Sequence, residues 1–250
     1  MELIPNLHKV LLVIGNSKMT LRIYSYILTI TLLTSCNFKS ADDYLKEGHD
    51  IGLTGNYKAA IQSFTKAIQK NPKLKEAYIQ RGLCFENIQE DSLAINDYEK
   101  LLRFDANNTI ALYYLGLCKY RHNKFEQAID FYNKALVTKG VSNPSDTSRT
   151  QFVVDFNQNG ILAELPSFDV VSYEIFYERG LAYYSTGQIQ RAYYDFENCI
   201  NQKYNLGSSN YMVGLCWLAA NKRERACESF RQGSFYGDSL SIMQIREQCK

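Results

Sequence analysis

A 34-residue period constrains this 250-residue chain more than any other feature. Gly48, Gly82 and Gly116 fall 34 residues apart, as do Ala60, Ala94 and Ala128. Phe64, Tyr98 and Tyr132 keep the same step, and so do Ala67, Leu101 and Ala135. A fixed period of this length implies a stacked array of identical supersecondary units. The pattern returns as Gly180, Ala192 and Phe196, then as Gly214, Ala226 and Phe230. The step from Gly116 to Gly180 is 64 residues, so about 30 residues, 141–170, are inserted between copies three and four.

Within each copy the spacing is that of two helices. Tyr44, Gly48 and Ile51 share one helical face at i, i+4 and i+7, and Ala60, Phe64 and Ala67 do the same on a second helix. Glycine and alanine let the paired helices approach closely, and the aromatic ring fills the space beside them. The turns between the helices fall at Gly55, Gln89, Asn123, Gly187 and Asn221. Four of these five are Gly or Asn, which tolerate the left-handed backbone at a helix end. Pro72 stops the second helix of copy one.

These residues resemble the tetratricopeptide repeat, whose pattern runs aromatic, Gly, aromatic, then Ala, Phe, Ala and Pro. Tyr44, Gly48, Ala60, Phe64, Ala67 and Pro72 match it in copy one. Copy two departs at Leu101 and Ala106 and copy four at Cys199, while Asn210 and Gly233 make copy five the weakest. The resemblance implies an all-α, right-handed α-solenoid of five helix pairs. Repeats 1–3 span 41–140 and repeats 4 and 5 span 171–238, with a capping helix over 239–250 that covers the open end.

Ahead of the repeats, Ile23 to Ser35 form an apolar run after Arg22, of signal-peptide length and too short to span a bilayer comfortably. Leu33-Thr34-Ser35-Cys36 resembles the bacterial lipoprotein box. That resemblance implies cleavage after residue 35, acylation of Cys36 and a short tether over 36–40. Met19 is an alternative start that would give a 17-residue signal. The expected location is the bacterial cell envelope, anchored to a membrane, the outer one preferred.

The insertion opens with loop residues, Ser142 to Asp146. Gln151 to Phe156 and Ile161 to Leu165 read as strands around the turn Asn157 to Gly160, so a small β-hairpin or a loop is expected. Cys84, Cys118 and Cys216 occupy one equivalent position, and equivalent positions in neighbouring repeats lie roughly 10 Å apart, too far for a bridge. Cys227 opens the last second helix and Cys249 closes the antiparallel cap beside it, which makes them the expected disulfide.

A formal charge of +2 points to neither nucleic acid nor an acidic partner. After removal of residues 1–35 the chain has 25 basic and 25 acidic residues, so long-range steering of a charged ligand is not expected. Its three histidines form no metal-ligand cluster, no Gly-rich phosphate loop follows a strand, and no nucleophile elbow occurs. Neither an enzyme nor a cofactor or metal is expected.

Family resemblance implies a protein or peptide partner, received by the concave face of the first helices. The lining positions are the second, fifth, sixth, ninth and twelfth of each repeat. Tyr113, Tyr177 and Tyr211 stand at the fifth, with Tyr114 at the sixth. Leu117, Leu181 and Leu215 stand at the ninth, and Tyr120 and Tyr184 at the twelfth. The tyrosines gather in copies three to five, and tyrosine is enriched at binding hot spots. Residues with which some family members clamp a peptide carboxylate are replaced by Leu45, His49, Gln80, Ile110 and Tyr114. A C-terminal carboxylate ligand is therefore not expected. The alternative reading is ligand capture, with a glycan or small nutrient taken up by the same rings.

Overall fold

The computed structural model describes residues 39–142 and 170–249. The apolar run Ile23 to Ser35, Cys36 and the expected hairpin Gln151 to Leu165 lie outside the described residues. Residues 41–250 form one compact unit. Its described helices are α1 (Ala41–Leu53), α2 (Tyr57–Lys70), α3 (Lys75–Asn87), α4 (Asp91–Phe104), α5 (Thr109–Arg121) and α6 (Phe125–Leu136). After the insertion come α7 (Ser172–Ser185), α8 (Ile189–Asn201), α9 (Leu206–Ala219), α10 (Arg223–Phe235) and α11 (Ser239–Gln248). Each helix packs on the next in sequence, from α1 on α2 through to α10 on α11, as an α-solenoid requires.

The turns explain how each pair reverses direction. Gly55, Gln89, Asn123, Gly187 and Asn221 all have positive φ, between 57° and 78°. Each lets the chain leave the first helix and enter the second two residues later. Asn56 and Asn108 cap helices through side-chain oxygens that accept the Ala59 and Ala111 N–H groups, at 3.3 and 3.0 Å.

Inside each pair one contact recurs. Ala60, Ala94, Ala128, Ala192 and Ala226 are fully buried on the second helices. The aromatic residue one turn on inserts its ring against the first-helix glycine. A Cβ added at Gly48 would lie 2.6 Å from Phe64, and one at Gly82 would lie 2.5 Å from Tyr98. Gly116 with Tyr132, Gly180 with Phe196 and Gly214 with Phe230 repeat the arrangement. A side chain on the first helix would have to expel the ring, which is why the 34-residue period holds glycine there.

A second recurring contact ties neighbouring repeats together. Arg81 donates from Nε and Nη2 to both oxygens of Asp97, at 2.7 and 2.6 Å, and from Nη1 to the Thr65 hydroxyl at 2.9 Å. Arg179 does the same to Asp195 at 2.8 and 2.7 Å, and reaches Asn133 Oδ1 at 2.7 Å. Each arginine thus joins its own second helix to that of the preceding repeat. Asn133, one such acceptor, is exposed yet hydrogen-bonded.

The insertion leaves the stack in phase, because α6 packs directly on α7. Its two ends meet as β1 (Val141–Ser142) and β2 (Val170–Val171), paired in parallel with Val141 opposite Val170. Val170 and Val171 are buried, and β2 packs on both α5 and α7.

At the far end α11 closes the stack. Asp238 caps it by accepting the Ser241 N–H at 2.7 Å. Gly233 and Gly207 leave room for its first turn, since a Cβ on Gly233 would collide with the Ser241 side chain. This accounts for glycine at position 233, where repeats one and three carry alanine, repeat two Leu101 and repeat four Cys199. A disulfide joins Cys227 to Cys249, with Cα atoms 5.6 Å apart. Cys84, Cys118, Cys199 and Cys216 are free thiols, all buried.

Candidate partner-binding face

The first helices place the fifth-position tyrosines against the aromatic core. Tyr113 meets Tyr132 at a centroid distance of 6.2 Å, Tyr177 meets Phe196 at 5.7 Å and Tyr211 meets Phe230 at 6.0 Å. These rings are anchored at one edge by their own repeat, and their exposure differs. Tyr177 and Tyr211 are half-buried. Tyr113 is only 7% exposed and Tyr114 only 6%.

This corrects the expectation that Tyr113 and Tyr114 offer their rings to a partner. Helix α5 is packed by α4, α6, α7 and β2, and it buries a continuous run from Thr109 to Gly116. Tyr114 stacks on Tyr98 at 5.5 Å and Tyr113 meets Tyr114 edge-on at 5.4 Å. Both serve as the floor. The partly accessible residues are Leu117, Leu181 and Leu215 at the ninth position, with Tyr120 and Tyr184 at the twelfth.

Carboxylates lie among these rings. Tyr98 donates its hydroxyl hydrogen bond to Glu86 Oε1 at 2.7 Å, and Arg121 pairs with Glu86 at 2.9 Å and Asp91 at 3.0 Å. Burial raises the Glu86 carboxyl above its ordinary value, although Tyr98 and Arg121 oppose the rise. Glu178, at the sixth position of repeat four, is pushed up by burial to about 7, with Arg121 acting against the shift. Burial and then Glu178 hold the Tyr113 and Tyr132 hydroxyls above their ordinary values.

Sequence reasoning passed over Glu178, although it occupies one of the lining positions and is acidic where copies three and five have Tyr114 and Met212. It also missed the Arg81–Asp97 and Arg179–Asp195 pairs. Their signal was present: Arg before the repeat glycine, and Asp before the second-helix aromatic, in copies two and four alone.

Among the described residues no group of three or more His, Cys, Asp or Glu could hold a metal ion. No described helix is long and apolar enough to cross a membrane. A cavity of about 410 Å³ lies between α8 and α9, walled by Tyr193, Tyr194 and Trp217.

Residues 92–146 match the tetratricopeptide repeat family model. The DnaJ homolog subfamily C member 7 homolog of Dictyostelium discoideum is 31% identical over 101 residues, covering 39% of this chain and 19% of that protein. Hsp70-Hsp90 organizing protein 1 of Glycine max is 24% identical over 98 residues, covering 39% of this chain and 17% of its own. The chain spans about a fifth of the length of these curated relatives. Among solved structures, YrrB, described as a TPR protein with an unusual peptide-binding site, aligns with a TM-score of 0.63 at 16% identity, covering 87% of this chain and 97% of that one. MamA from Desulfovibrio magneticus RS-1 aligns with a TM-score of 0.61 at 14% identity, covering 80% and 97%. The chain carries tetratricopeptide repeats, stacked as an α-solenoid.

Proposed function

We propose that this chain is a membrane-anchored tetratricopeptide lipoprotein that acts as an interaction scaffold, receiving a peptide or helix on its first-helix face. One observation carries the binding half of the reading. In repeats three to five the ninth-, twelfth- and fifth-position leucines and tyrosines other than Tyr113 are half-buried and partly open to solvent, with the rings of Tyr120, Tyr177 and Tyr211 each held against another ring. Rings fixed in this way lose little conformational freedom when a partner covers them. Tetratricopeptide proteins typically mediate protein–protein interaction, and YrrB, which shares the fold, has a peptide-binding site of its own.

The anchoring half rests on the sequence around Cys36, where charge, apolar run and box occur in the order that lipoprotein export requires. Several acyl chains on one residue hold a protein to a bilayer far more firmly than a single chain. A short tether would then keep repeat one near the surface.

The test is capture of crosslinked partners from membranes by the wild type and by the Tyr177→Ala, Tyr184→Ala, Tyr211→Ala triple variant. The variant is expected to stay folded by circular dichroism and to lose its partners. Equal capture by the two proteins would mean that the partner does not bind this face.

A further inference from the structure

The cavity between α8 and α9 stands where this seam departs from the repeat. At the corresponding seam between α4 and α5, Asp91 meets Arg121 at 3.0 Å and His122 at 3.3 Å. The equivalent positions at the α8–α9 seam hold Ile189, Ala219 and Ala220. The polar contacts are lost there, and two long side chains are replaced by methyl groups. All three residues line the cavity of about 410 Å³. That volume lies in the range of small-molecule pockets and is too small for a helix.

The walls depart from the repeat as well. Copies one to three have Ile61, Ile95 and Ile129 where copy four has Tyr193. They have the exposed polar residues Gln62, Asn96 and Asp130 where copy four has Tyr194, a ring that is 57% exposed. Trp217, the single tryptophan of the chain, supplies the α9 side. Tyr193 meets Trp217 at a centroid distance of 4.9 Å and an angle of 60°, and meets Tyr194 at 5.7 Å and 67°. Rings set at such angles form a corner, and edge-to-face or offset contact at these separations suits a further ring.

The lining holds neither a carboxylate nor a cation. A charged ligand would give up its hydration to walls without a counter-charge. A cation would also meet Arg225, which lies over the Trp217 ring at 4.8 Å from its centroid. Burial pushes the Cys216 thiol up to about 12, so it is a neutral part of the wall. A sugar needs hydrogen-bond partners around its whole ring, and beyond the tyrosine hydroxyls Gln190 is the one polar side chain of the lining. We propose that this cavity binds a small neutral aromatic molecule, of one or two fused rings, against the corner of Tyr193, Tyr194 and Trp217. Gln190 hydrogen-bonds a polar substituent at the edge of that molecule. The α9 side of the site uses the tenth, eleventh, thirteenth and fourteenth positions of repeat five, none of which lines the partner-binding face. The two readings therefore stand or fall separately.

The test adds unlabelled indole, as the probe, to the purified full chain labelled with the heavy nitrogen isotope. Because Trp217 is the only tryptophan, its side-chain N–H gives a single nuclear magnetic resonance that reports this site alone. Indole is expected to shift that resonance saturably. Tyr194→Ala removes a wall and Ala220→Leu fills the space; both positions are exposed, so the fold is expected to hold by circular dichroism. Each variant should raise the midpoint of the titration about tenfold. No saturable shift with indole, or an unchanged midpoint in either variant, would overturn the site. Tighter binding of methyl glucopyranoside or of choline than of indole would overturn the assignment to a neutral aromatic ligand.

Discussion

Arg179 grips Asp195 with two parallel hydrogen bonds of 2.8 and 2.7 Å, from one helix of repeat four to the other. The aspartate is 5% exposed and the arginine 16%. Fork-to-fork geometry of this kind fixes orientation as well as adding energy. A third bond, to Asn133, carries the link from repeat four back to repeat three, so it spans the inserted segment.

Arg179→Ala leaves Asp195 buried without its cation, and is expected to cost about 3–5 kcal/mol in urea unfolding. The Arg179→Leu, Asp195→Leu double variant should recover most of that loss. A loss below about 1 kcal/mol for Arg179→Ala would show that the pair contributes little.

The array was legible from the sequence because each repeat needs glycine, alanine and one ring at fixed places to let two helices touch. The five turn positions were legible for a similar reason, since a left-handed residue must follow each first helix. The exposure of Tyr113 was not legible. It follows from packing of the Tyr113 ring on Tyr114 and Tyr132, side-chain contacts that the repeat period does not reveal. Glu178 was overlooked because an acidic residue on a helix normally reads as solvated surface. Its burial comes from neighbours in repeat three that periodicity alone does not weigh.

Ala128 is fully buried where α5 and α6 cross, so Ala128→Leu must push the helices apart at a cost of about 1–3 kcal/mol or more. Asn133→Leu, on an exposed position, forfeits one hydrogen bond from Arg179 and should cost about 0.5–1.5 kcal/mol. Chemical denaturation of both variants checks the order. An Asn133→Leu loss equal to or larger than that of Ala128→Leu would contradict this packing.

Glu178 makes a pH-dependent contribution. Its folded carboxyl is pushed up to about 7 from an ordinary value of 4.5, so the folded state binds the proton more tightly than the unfolded chain. The resulting stabilisation is present below pH 4.5 and is lost as pH rises towards 7. Glu178→Gln should therefore be more stable than wild type at pH 8, by about 1–3 kcal/mol. The advantage should shrink at pH 5. A pH-independent difference would show that the Glu178 charge is not strained in the folded state.

Cys36→Ser tests the anchor. The variant is expected to leave the membrane fraction or to keep its signal sequence, and mass spectrometry of the purified protein reads both. An acylated, cleaved form of the Cys36→Ser variant in the membrane fraction would refute lipidation at residue 36.

Contact between the partner and the first-helix face of repeats three to five is tested most directly by site-specific photocrosslinking in living cells. The photoreactive residue p-benzoylphenylalanine is placed at Tyr184 or Tyr211 and, as a control, at Tyr194, an exposed ring of the second helix α8. Adducts of the same discrete mass from positions 184 and 211, absent at 194, are the predicted result. Adducts at 194 alone, or none from either first-helix position, would contradict it.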